Sequence, residues 1–136
     1  MNRILFVGCL LASLVLGSCT HESKIATTTP TPVTAAAGTW KISMFLHNAS
    51  DEKSMFDNYT FAFPSTGVIT ATNGSSTTTG TFNHTIDGGE QKVVINFSGS
   101  LLGRLNEDWD VVTNTASEID LQKHNDPGEA LHFTKQ

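Results

Sequence analysis

The chain has 136 residues, 38% apolar, 15% charged and 8% aromatic, a balance that suits one folded domain and excludes an intrinsically disordered chain. Its formal net charge is −5, and after Cys19 seven basic residues, spread singly along the chain, stand against thirteen acidic ones. A polyanion would be repelled, so nucleic-acid binding is excluded.

The first segment reads as an address and not as part of the fold. Arg3 precedes an almost unbroken apolar stretch from Ile4 to Leu16, and the small residues Gly17 and Ser18 lead into Cys19. These are the basic, apolar and small-residue parts of a secretory signal. A helix of that length covers about 20 Å, short of the ~30 Å hydrocarbon core of a bilayer. The run Leu16-Gly17-Ser18-Cys19 resembles the lipobox of bacterial lipoproteins. The resemblance implies cleavage before Cys19, so that residues 1–18 are a signal peptide, with a diacylglycerol on the Cys19 sulfur and a further acyl chain on the new amino group. Each buried CH₂ contributes about 0.8 kcal/mol, so such a product stays on the membrane. Thr20, standing where some bacteria place a retention aspartate, points by the same resemblance to the outer membrane of a bacterial envelope. Cys9 leaves with the signal and Cys19 is committed to lipid, which leaves the folded part without disulfides or cysteine-based metal sites.

Residues 19–37 read as the lipidated cysteine and a flexible tether. They hold Pro30 and Pro32 among threonines, then Ala35-Ala36-Ala37, with only Ile25 and Val33 as larger apolar groups.

From Gly38 to Gln136 the apolar residues recur at period two, the pattern of half-buried strands. Trp40, Ile42, Met44 and Leu46 form one inward stripe, which leaves Phe45 on the opposite face. Tyr59, Phe61 and Phe63 form the next, followed by a turn at Pro64-Ser65-Thr66-Gly67. Val68–Thr72 leads to Asn73-Gly74, a hairpin signal, and Thr77–Thr85 leads to Asp87-Gly88-Gly89. Val93, Ile95 and Phe97 face inward, then Leu105, Trp109 and Val111, then Ile119 and Leu121, then Leu131 and Phe133. The only helical pattern is a turn near Asp51–Asp57. Consecutive short strands pair with their neighbours and escape exposed edges by closing, so the expected fold is all-β: an up-and-down antiparallel meander forming a small eight-stranded barrel.

Gly38-Thr39-Trp40, with Phe61-x-Phe63, Gly80-Thr81-Phe82, Val93-x-Ile95-x-Phe97, Asp108-Trp109-x-Val111 and Leu131-x-Phe133 in that order, is similar to short lipocalin-like lipoproteins of Bacteroidetes-type bacteria. The resemblance implies a lipocalin-like barrel. The chain is much shorter than a typical lipocalin, and no arginine follows the last strand to stack on Trp40, only Lys135.

Catalytic chemistry finds little support. The five histidines, His21, His47, His84, His124 and His132, include no pair at ligand spacing, and only a cross-strand meeting of His84, His124 and His132 would make a metal site. Asp108 and Asp110 alternate with Trp109 and read as a solvated outer face. Asp51, Glu52, Asp57 and Asn58 read as loop acids, since no calcium-loop spacing is present. There is no Gly-x-Ser-x-Gly elbow, and Gly88-Gly89 is a turn without a phosphate-loop lysine. No enzyme activity, metal or cofactor is expected. Met55-Phe56, in the long first connection, should cover a barrel mouth as a plug or as the lid of a ligand space. Trp40, Met55, Phe56, Tyr59 and Trp109 are the candidate ligand-binding residues. The expected role is a non-catalytic envelope lipoprotein that binds a small hydrophobic ligand or an envelope component. The alternative is a protein-interaction module, an inhibitor or accessory subunit of an envelope complex.

Overall fold

The computed structural model describes residues 33–136. The signal peptide, the lipidation site and the first part of the tether lie outside the described residues. The period-two segments form β1 (Trp40–His47), β2 (Ser50–Asp51), β3 (Tyr59–Ser65), β4 (Gly67–Asn73), β5 (Ser76–Asp87), β6 (Glu90–Asn96), β7 (Glu107–Asn114), β8 (Glu118–Lys123) and β9 (Asp126–Lys135). From β3 onward each strand pairs antiparallel with the next, and β1 closes the sheet by pairing with both β3 and β9. The two-residue β2 is only a return along the end of β1, so the wall has eight strands, the barrel expected from the sequence. Single 3₁₀ turns at Lys53–Phe56 and Leu102–Leu105 break the two longest connections.

The hairpins follow their turn chemistry. Asp87 pairs with Glu90 around Gly88 and Gly89, both at positive φ (60° and 91°), as a type I′ turn requires. At the β4–β5 hairpin Asn73 is itself paired, with Ser76, so the loop is Gly74-Ser75 with positive φ at Gly74 alone. That is the II′ pattern, one residue later than an Asn-Gly turn would stand.

The interior is filled by aromatic and aliphatic side chains. Trp40, Phe45, Phe56, Phe61, Trp109 and Phe133 are each at most 1% exposed, joined by Ile69, Ile95, Leu105, Ile119, Leu121 and Leu131. The rings meet edge to face: Phe63 lies 4.8 Å from Phe82, 5.7 Å from Phe133 and 5.8 Å from Trp40, and Phe61 lies 5.3 Å from Phe133. Gly80 is small for a steric reason. A Cβ there would stand 2.6 Å from both the Asn96 carbonyl oxygen and the Phe97 ring.

The ladders depart from a strict alternation in four places, two of which redirect large apolar side chains. Ile42 pairs with Phe133 but Met44 pairs with His132, which makes Ser43 the extra residue of a β-bulge. An added residue inverts every side chain beyond it. Phe45 is therefore fully buried, and Met44 and Leu46, expected inside, stand half-buried on the outer face. A second bulge at Val112, between the pairs Val111–Leu121 and Thr113–Asp120, leaves that valine 63% exposed.

The ordered structure also begins before Gly38. Val33 and Ala35 are buried members of the core cluster, and the Trp40 indole N–H donates to the Ala36 carbonyl at 3.0 Å. Residues 33–37, expected to be solvated tether, lie against the barrel because their alternate apolar groups cover its end. Gly38 (φ +139°) passes so close to β9 that a Cβ would meet Lys135 Cε at 2.6 Å.

The bulge makes a stability prediction. Phe45→Ala should cost about 3–5 kcal/mol in urea unfolding, and its neighbour Met44→Ala about 1 kcal/mol or less. The reverse order would mean an unbulged strand.

Candidate functional site

One end of the barrel is closed by the long first connection. It leaves β1 through Asn48 and Ala49, two non-glycine residues at positive φ (51° and 61°), a strained pair held from outside. Glu129 of β9 accepts from the Asn48 N–H at 2.9 Å and meets His47 Nδ1 at 3.0 Å, while the Ala49 N–H donates to the Gly128 carbonyl at 2.9 Å. The chain then turns back, with the Glu52 N–H on the Phe45 carbonyl at 2.8 Å, and the 3₁₀ turn drops Phe56 onto Phe45 at 5.3 Å and beside Tyr59 at 6.2 Å. Arg104, from the other 3₁₀ turn, forms an ion pair with Glu52 that ties the two connections together. The loop acids considered for calcium are thus engaged by the protein: Asp51 Oδ1 accepts from the Lys53 N–H at 3.0 Å, Glu52 holds Arg104, and Asp57 holds the Lys53 ammonium at 2.8 Å.

This geometry places the five candidate ligand-binding residues. Phe56 is sealed in the core and acts as a plug. Tyr59 is half-buried between Phe56 and Phe61, and Met55 projects outward, 46% exposed. Trp40 and Trp109 are structural: each indole N–H donates at 3.0 Å to the carbonyl four residues earlier, Ala36 and Leu105. A buried tryptophan whose N–H is satisfied in this way is a core residue with its polar edge capped.

The opposite end carries a feature that strand periodicity did not reveal. The segment Val33–Ala37 and the β3–β4 turn form the walls of an open cleft of about 330 Å³, floored by Phe63 and Phe82 and flanked by Pro64 and Val68. It was missed because residues 33–37 look like tether by composition. Val33 and Ala35 on either side of Thr34 make too short an alternation to mark a packed segment.

The outer face of β6, β7 and β8 carries a polar network. Lys92, only 8% exposed, pairs across the ladder with Asp110, and its ammonium lies 3.4 Å from Asp110 Oδ1 and 3.9 Å from both Asp87 and Asp108. Burial works against the ammonium, but the three carboxylates outweigh it and hold its pKa above the usual lysine value. Burial would also raise the Asp110 pKa, yet His124 and Lys92 bring it below the usual range. His124 Nδ1 meets Asp110 Oδ2 at 2.8 Å and Glu90 Oε2 at 3.7 Å. The other two histidines of the expected cross-strand meeting are elsewhere: His132 faces Asp120 at 3.3 Å, and His84 Nε2 is buried without a hydrogen-bond partner. Among the described residues, Glu90, Asp110 and His124 bring metal-ligating atoms together, all within 4.8 Å of one another.

Two predictions concern the closed end. Glu52→Gln should loosen the plug, read as faster amide exchange over 52–57 without global unfolding; unchanged exchange would mean that the Arg104 pair does not hold it. Burial tends to raise the Glu129 pKa, but the Asn48 N–H and His47 overcome it and hold it below 4.5. A depressed carboxyl pKa contributes stability that is complete above the unfolded value and is lost as pH falls through the folded one. Glu129→Gln should therefore shrink the loss of stability on acidification below about pH 4.5, measured by urea unfolding across pH; an unaltered acid limb would refute this.

No family model matches the chain, and no curated protein matches it. Among solved structures it is similar to a lipocalin-like protein from Bacteroides uniformis ATCC 8492, at 19% sequence identity and a TM-score of 0.47, over 74% of this chain and 97% of that one.

Proposed function

We propose that this chain is a lipid-anchored, non-catalytic protein of the bacterial envelope that holds a small apolar ligand at the mouth of its barrel. The observation that carries this reading is where unfilled space is left. The barrel interior is occupied by its own side chains, while Val33, Phe63, Val68 and Phe82 line an open cleft of about 330 Å³. That volume is at the lower end of the range for small-molecule sites, roughly 300–1,000 Å³. The cleft adjoins the point where the tether arrives. Thirteen residues separate Cys19 from Val33, a mean reach of about 20 Å for a chain of that length. A lipid on Cys19 would keep this end of the barrel close to the bilayer, where apolar ligands are concentrated.

The anchor and the cleft are tested separately. Cys19→Ala should abolish lipid labelling and move the protein out of the membrane fraction; unchanged labelling and fractionation would remove the anchor. An apolar fluorophore displaced by a fatty acid should bind the full chain, and Val68→Lys should weaken it about tenfold, roughly 1.4 kcal/mol, at an unchanged unfolding midpoint. Absence of binding, or equal binding by the variant, would remove the cleft.

A second reading, a protein-interaction module, draws on Ile86 and Val112, large apolar side chains 50% and 63% exposed on β5 and β7. In intact cells it predicts a stoichiometric cross-linked partner that Val112→Glu abolishes.

A further inference from the structure

We infer that Glu90, Asp110 and His124 form a site for a divalent cation of the zinc class on the outer wall of the barrel. The inference is independent of both the lipid anchor and the cleft.

Three neighbouring elements contribute to the site. Asp110 is the ladder partner of Lys92 on one side and of Gln122 on the other. Glu90, two residues before Lys92, and His124, two residues after Gln122, flank Asp110 from opposite directions along the strands, and their side chains reach back to converge on it. Glu90 opens β6 and His124 begins the β8–β9 turn, where Asn125 takes a positive φ of 57°. The ligand atoms are an imidazole nitrogen and two carboxylate oxygens, separated by 2.8 Å (His124 to Asp110), 3.7 Å (His124 to Glu90) and no more than 4.8 Å for the remaining pair. Tetrahedral zinc, with bonds of about 2.0–2.1 Å, sets its ligand atoms about 3.3–3.4 Å apart. The shortest separation must open by roughly half an ångström and the others close. Glu90 and His124, 62% and 52% exposed in their side chains, have the freedom to do so. The remaining coordination positions face solvent, where water completes them.

Two further features favour a cation. Asp87, Asp108 and Asp110 surround a single ammonium, that of Lys92, and Glu90 adds a fourth carboxylate beside His124, so the patch carries an uncompensated negative charge. Lys92 addresses Asp110 through Oδ1 and leaves Oδ2 to the ligand side, so the nearly buried lysine orients a ligating carboxylate from the outer shell. The same ammonium lowers the affinity by repulsion. The imidazole selects among cations: calcium and magnesium prefer all-oxygen ligand sets, whereas zinc accepts nitrogen and oxygen together.

The test is calorimetric titration of the full chain with zinc chloride at neutral pH, with magnesium and calcium chlorides as comparisons, alongside the thermal midpoint with and without zinc. The structure predicts a zinc site that raises the midpoint. His124→Ala should abolish it and Glu90→Gln weaken it about tenfold or more, while Asp108→Asn keeps it. All three substitutions lie on exposed side chains, and circular dichroism of each variant confirms its fold. No zinc binding at millimolar metal, calcium or magnesium binding in preference to zinc, or zinc binding and stabilisation that survive in His124→Ala would each overturn the assignment.

Discussion

The structure depends on the closure of one sheet upon itself. When β1 takes β9 as its second neighbour, the meander loses both free edges and its inner face becomes a volume of fixed size. A space bounded by eight strands is about wide enough for side chains to fill, and this chain fills it with phenylalanine, tryptophan and branched aliphatics. The seam explains several local features. The bulge at Ser43 lies on it, where β1 changes the face it presents to β9, and Gly38 is backed by the methylene stem of Lys135 at its end. The Gln136 N–H donates to the Thr39 carbonyl at 2.8 Å and extends the seam to the last residue.

A filled interior leaves only the periphery of the barrel to hold a ligand. At one end, the Phe56 plug is pinned by the Glu52–Arg104 ion pair between the two connections, by the Glu129 contacts to His47 and the left-handed Asn48, and by the Gly128 carbonyl on the Ala49 N–H. At the other, the incoming chain and the β3–β4 turn leave a cleft between them, over the nearly covered Phe63 and Phe82. The two ends thus differ in kind, one sealed by ring packing and the other left as a cleft. On the proposed reading, that asymmetry puts the ligand at a mouth and not inside the barrel.

The outer wall has its own organisation. Lys92 gives up nearly all of its solvent exposure, a cost repaid by three carboxylates within 3.9 Å. Together with His124 and Glu90 they make a polar patch across three strands on a surface otherwise rich in threonine and serine. Sequence spacing could not assemble it, because its members come from three different strands and adjacency across a sheet depends on register.

Much of the architecture was legible in the residues themselves. Period-two alternation located the strands, the Gly88-Gly89 pair set a hairpin, and the burial of Phe61, Val93, Ile119 and Phe133 follows directly from their parity. These are local properties, fixed by which way successive side chains point. Alternation could not anticipate the bulge that sends Phe45 inward and Met44 outward, nor the packing of Val33 and Ala35 on the barrel. It also left open which of the five histidines would meet carboxylates. Those outcomes depend on which strands become neighbours and in what register, and only the closing of the barrel decides that.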